Sequence, residues 1–188
     1  MRASGILLPV SSLPSKYGIG CFSKSAFEWI DFLQESGQTF WQILPLGPTS
    51  YGDSPYQSFS TFAGNPYFIS LEELIEEGLL TRAECESAQL GTNPSYVDYE
   101  KQYENRNPLL HKAYENSKKR EDAEFLKFEE EQKEWLPDYA LFMALKEEKY
   151  HHMPVYMWPD KDVRDRKPAA LEKVTAELRD EVDFRIFL

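Results

Sequence analysis

The sequence predicts an α/β fold from three local observations. Residues 5–10 (GILLPV) form a short continuous apolar run, the pattern of a strand buried on both faces. Residues 39–46 (TFWQILPL) form a second such run. Between them, Ala26, Trp29, Ile30 and Leu33 recur at helical spacing and make one apolar face. Strand, helix and strand with short connections make a βαβ unit, the building block of a parallel sheet.

The elements carry their own punctuation. Pro9 cannot donate to a strand ladder and ends the first strand. The stretch SSLPSKYGIGCFSK that follows is a loop. Ser25 and Glu28 have capping-box spacing at the helix start, and Gly37 can close that helix in the left-handed conformation. Ser70 with Glu73, and Thr81 with Glu84, are two further capping boxes, and Gly78 ends the first of these helices. Residues 87–107 read as irregular, with Gly91, Pro94 and the tyrosines Tyr96, Tyr99 and Tyr103. A charged helix with Phe125 and Phe128 on one side is expected over 121–134. Pro137 suits the first turn of an apolar helix through Tyr139, Leu141, Phe142, Met143 and Leu145. A loop, HHMPVYMWPDKDVRDRKP, comes next, and Pro168 opens a last helix. The closing DFRIFL lies in mid-helix with no cap or polar tail, which predicts a truncated chain.

Composition narrows the function classes. The 188 residues carry a net charge of −11, which repels nucleic-acid phosphates and anionic lipid head groups but not a neutral ligand such as a sugar. Nothing approaches the roughly 20 apolar residues of a membrane span. Cys21 and Cys85 have neither disulfide-framework nor metal spacing, which suits a reducing cytoplasm. The adjacent His151 and His152 are poorly spaced for one metal ion, and the Gly18-x-Gly20 pair lacks a phosphate-cradling context.

Residues 47–66 (GPTSYGDSPYQSFSTFAGNP) stand apart as a long, aromatic, turn-rich loop. Long loops without regular structure are uncommon unless they are functional or disordered, and the aromatics argue against disorder. The loop leaves the C-terminal end of a parallel strand, where α/β barrels carry their active sites. A sugar presents hydroxyls and apolar ring faces, so its site needs aromatic platforms beside fixed polar groups. Tyr51 and Tyr56 can stack, while Asp53, Ser54 and Gln57 can reach hydroxyls. An Ω-loop packed down by its own aromatics explains the same composition.

The string GPTSYGDSPYQSFSTFAGNPYFISLEEL, preceded by WQILPLGP, resembles the diagnostic segment of amylomaltases, the disproportionating 4-α-glucanotransferases. GILLPVSSLPSKYGIG, Val97–Tyr99 (VDY), DYALFMALK, Trp158-Pro159 and EVDF resemble further segments of that family. The resemblance implies the first two strands of a (β/α)8 TIM barrel with a mostly helical inserted subdomain. It divides the chain into a βαβ part with the substrate loop (1–70), a helical insertion (71–165) and a returning barrel helix (166–188). It also implies transfer of 4-α-glucan segments between maltooligosaccharides or to glucose, by retaining double displacement between two carboxylates, with no metal or organic cofactor. No Asp or Glu here matches the family's catalytic motifs, so the isolated chain is expected to be inactive. Tyr56 resembles the tyrosine beside the cleavage subsite, and Asp53, Ser54 and Gln57 belong to the same loop. Tyr51 and Tyr103 resemble aromatics of a secondary glucan groove. A non-catalytic glucan-binding module and a hydrolase of the α-amylase clan are the alternatives, and the oligomeric state is left open.

Overall fold

The computed structural model describes residues 2–188 apart from Tyr51, Thr92, Pro94, Arg120 and Glu121. The chain divides into two compact units, Met1–Arg120 and Glu121–Leu188. That boundary falls inside the stretch 71–165.

In the first unit, β1 (Gly5–Leu7) pairs in parallel with β2 (Phe40–Gln42), with Gly5 opposite Phe40, Ile6 opposite Trp41 and Leu7 opposite Gln42. A Cβ on Gly5 would lie 2.5 Å from the Phe40 carbonyl oxygen, so this pairing needs glycine. Both strands are shorter than expected. The Leu8 N–H still donates to the Gln42 carbonyl at 3.0 Å, and Pro9 then has no donor to offer. One side of the pair meets a core of Val10, Leu13 and Ala26 with Trp29, Trp41, Leu46 and Phe68. The Trp41 indole N–H donates to the Leu8 carbonyl at 2.8 Å. Ile6, Leu7 and Phe40 remain exposed.

Helix α1 (Lys24–Glu35) connects the strands. Its N-cap is Ser23, not Ser25, and no side-chain cap bond forms. Ser23 has the extended backbone of a cap residue, and its carbonyl accepts from the Ala26 N–H, so Ser25 lies inside the first turn. Of the two further capping boxes, only half forms on α2 (Leu71–Glu76), where Ser70 accepts from the Glu73 N–H, whereas Thr81 with Glu84 forms completely on α3 (Arg82–Ser87). Gly37 and Gly78 follow their helices at φ +70° and +71°.

A correction concerns residues 99–107. They are not irregular but form the first half of α4 (Tyr99–Ser117), which Asp98 caps by accepting from the Lys101 N–H. The buried face of α4 begins with two polar residues, Gln102 and Arg106, and only then becomes apolar with Leu109, Leu110 and Ala113. Pro108 sits inside the helix. Gln102 donates from Nε2 to the carbonyls of Tyr17 (2.7 Å) and Leu90 (2.6 Å). A Cβ on Gly18 would meet the Leu90 carbonyl oxygen at 2.2 Å and Gln102 Nε2 at 2.8 Å.

The second unit is helical: α5 (Ala123–Glu131), α6 (Leu136–Ala144), a π-helical turn Leu145–Lys149, α7 (Lys161–Arg164), α8 (Pro168–Glu177) and α9 (Arg179–Phe187). Pro137 and Pro168 occupy first turns, as expected. The expected single last helix is broken at Leu178, which has φ −109° and ψ 22°. The core gathers Ala140, Leu141, Ala144, Leu145, Tyr150 and Trp158, with the Tyr150 and Trp158 rings stacked 4.5 Å apart. Arg185 is buried here, with Nη2 2.8 Å from Glu147 and 3.8 Å from Glu181. Among the described residues, no helix is long and apolar enough to cross a membrane.

Candidate functional site

The loop that leaves β2 is closed at its base by backbone. The Asn65 N–H donates to the Leu46 carbonyl at 2.9 Å, so the chain departs and returns at nearly one point. Gly47 lets the returning strand of the loop come close, because a Cβ there would lie 2.4 Å from the Ser58 hydroxyl. Inside the loop, turns are fixed by the Asp53 N–H on the Ser50 carbonyl, the Gln57 N–H on the Ser54 carbonyl, and the Ala63 N–H on the Ser60 hydroxyl. The loop's exit is a 3-10 turn, Pro66–Phe68, with Asn65 accepting from the Tyr67 N–H at 3.0 Å.

These turns sort the predicted residues by exposure. Tyr56 is 73% exposed, although an aromatic side chain in a packed loop would bury itself. Gln57 is also exposed, while Ser54 and Asp53 are half-buried. Tyr51 lies outside the described residues. Tyr103 stands 61% exposed on α4, one turn beyond Tyr99.

Asp53 faces a cavity of about 90 Å³ whose lining includes Leu46, Thr49, Pro55, Asn65, Tyr67 and Tyr99. Its backbone is in the left-handed region at φ 51°, a conformation that Asp tolerates better than most residues. Burial pushes the Asp53 carboxyl above the usual range, and a hydrogen bond from Thr49 opposes that shift. Thr49 in turn accepts from the Asn65 amide at 3.5 Å. Tyr67 completes the wall. Burial and then the nearby charge of Asp53 raise its hydroxyl well above the normal tyrosine value, so it stays a neutral hydrogen-bond donor. Its ring lies 5.9 Å from that of Tyr99.

The structure thus gathers Asp53 with three residues that sequence reasoning misses as site residues, Asn65, Tyr67 and Tyr99. The Asn-Pro pair at 65–66 is a turn-initiating signal that could have pointed to the first of them. Tyr56 and Gln57 project from the loop rather than into the cavity wall. The arrangement can hold a polyhydroxylated ligand against exposed ring faces, with a carboxylate, an amide and phenols behind it.

Comparison with known proteins gives this geometry a context. The family model described as 4-alpha-glucanotransferase matches residues 8–188. A 4-alpha-glucanotransferase of Clostridium butyricum is 49% identical over 95% of this chain and 36% of its own length. One from Thermus thermophilus is 44% identical over 99% of this chain and 37% of its own. Among solved structures, the amylomaltase from Streptococcus agalactiae in complex with acarbose superposes with a TM-score of 0.94 at 40% identity, over all of this chain and 38% of that one. The chain therefore spans a little over a third of the length of these relatives, and it belongs to the 4-alpha-glucanotransferase family.

Proposed function

We propose that this chain builds the first part of a β/α barrel and supplies the substrate-side loop of a 4-α-glucanotransferase. In this reading β1 and β2 are the first two barrel strands, 71–165 is a helical insertion and 166–188 is the returning barrel helix. The exposed Ile6, Leu7 and Phe40 support it, because parallel strands are normally covered on both faces. The complete enzyme transfers a 4-α-glucan segment from one maltooligosaccharide to another or to glucose, by double displacement with retention, in the cytoplasm.

The loop's part is to receive glucose rings. Tyr56 offers a ring face, and Asp53, Ser54 and Gln57 offer acceptors and donors for hydroxyls. Tyr51 and Tyr103 border a second glucan groove. The ligand is neutral, so the acidic character of the chain does not oppose it. The amylomaltase neighbour's complex with acarbose, an α-glucan analogue, supports this substrate class. None of the chain's carboxylates is assigned to bond cleavage, so transfer needs residues from elsewhere in the enzyme.

The observation that carries the reading is the exposure of Tyr56 on a loop closed at the end of β2, in a chain of this family. The test is a maltoheptaose titration followed by tryptophan fluorescence. Tyr56→Ala should weaken binding about tenfold, equivalent to about 1.4 kcal/mol. The chain alone should release no glucose from maltotriose. An unchanged Kd in the variant overturns the substrate role of the loop, and turnover by the chain alone overturns its division of labour.

A further inference from the structure

Arg106 is 2% exposed and lies at the centre of the first unit's polar interior. Burial lowers its guanidinium to about 10, so it remains charged at neutral pH. A buried cation is costly unless paired and hydrogen-bonded. Its described partners, however, are neutral. Nη1 donates to Gln102 Oε1 at 3.3 Å, Nε to the Pro66 carbonyl at 3.4 Å, and Nη2 to the Ile69 carbonyl. Pro66 and Ile69 bracket the exit turn of the loop, and Tyr67 lies between them. Tyr99, two turns earlier on the same helix, packs its ring against that of Tyr67 at 5.9 Å between centroids.

We infer that Arg106, steadied by Gln102, is the positioning residue of the substrate loop: it fixes the loop's exit, and through it Tyr67 and Asn65, without touching the ligand. The inference rests on the proposed glucan role of the loop. Its chemistry follows from the guanidinium fork. Three nitrogens reach three acceptors, two on the exit turn and one on α4 itself, and a planar, rigid donor set fixes the turn's placement against the helix. Lysine keeps the charge but offers one compact ammonium, which cannot span the same acceptors. An apolar residue of similar length could fill the volume, but it would leave the Pro66 and Ile69 carbonyls without these donors.

The test compares Arg106→Lys and Arg106→Met with the parent chain, using Tyr56→Ala as a control, at a temperature where circular dichroism shows each protein folded. Without ligand, Arg106→Lys should raise amide hydrogen exchange across 62–70 about tenfold relative to α1, whose rates stay at parent values. With maltoheptaose, its Kd should rise about tenfold. A purely structural role predicts a uniform rise in exchange across the first unit, and that result overturns the inference. So does an unchanged Kd in Arg106→Lys when Tyr56→Ala weakens binding. If Tyr56→Ala changes nothing, the glucan reading fails, and the exchange measurement still decides whether Arg106 holds the exit turn. If Arg106→Met does not fold, the lysine variant carries the decision.

Discussion

Among the described residues two arginines are buried, and they meet their surroundings in opposite ways. Arg185, in the helical second unit, lies beside the carboxylates of Glu147 and Glu181. Arg106, in the first unit, gives its hydrogen bonds to backbone carbonyls and one amide. The difference follows from the backbone around each. Inside helices the carbonyls are already engaged by the i+4 N–H groups, so a buried cation there must find side-chain anions. Around Arg106 the chain runs through a 3-10 turn and irregular crossings, whose carbonyls need donors from somewhere. A buried arginine is thus a charge partner in one unit and a backbone partner in the other.

The sharpest way to break this comparison is to remove each cation in turn. Arg106→Met should cost about 3 kcal/mol in chemical denaturation, since it strands the Ile69 carbonyl and the Gln102 amide oxygen, while Pro66 keeps the Ile69 N–H, and each buried acceptor left unpaired costs about 1–3 kcal/mol. That loss should be nearly independent of pH between about 5 and 8, because the stranded groups are carbonyls. Arg185→Met should cost less, about 2 kcal/mol at pH 7. Breaking a buried pair costs about 3–5 kcal/mol, and both carboxylates here keep some solvent contact, with Glu147 at 24% and Glu181 at 26% side-chain exposure.

The second loss should shrink on acidification. Burial, then the charge of Glu148, hold Glu181 above the usual carboxylate range, and Arg185 pulls it down. A carboxyl raised in the folded state costs stability when ionised, and that cost disappears as pH falls through its folded pKa. Removing Arg185 raises the cost at neutral pH, so the variant should recover stability as Glu181 protonates. Equal pH profiles for the two variants would refute the distinction. The smallest effect expected is that of Tyr56→Ala on stability, below about 0.5 kcal/mol, because the ring is exposed. A larger loss would mean that the ring supports the loop rather than faces a ligand.

Signals carried by a few consecutive residues were the legible part of the fold. The caps at Ser70 and Thr81, the terminators Gly37 and Gly78 and the first-turn prolines Pro137 and Pro168 all act within a turn or so of chain. What escaped depended on distant partners. The first half of α4 hid because its buried face opens on Gln102 and Arg106, which read as solvent-facing until the carbonyls of residues 17, 66, 69 and 90 are brought to them. Pro108, a helix breaker by local rules, deepened the disguise. Asp53 was readable as a polar residue in an aromatic loop. Tyr67 and Tyr99 were not, because their cavity exists only where the loop's exit meets α4.

Gly18 has its own consequence. Its α-carbon sits against the Leu90 carbonyl and the Gln102 amide, with no space for even a methyl group. At φ 78° its backbone would also strain most other residues. The spot works as a gauge: three remote stretches of polypeptide touch there at a clearance of less than one atom. A variant bearing any side chain at this position must displace the Leu90–Gly91 backbone and push aside the Gln102 amide that steadies Arg106, so the disturbance reaches the rim of the loop although no residue of that rim has been altered.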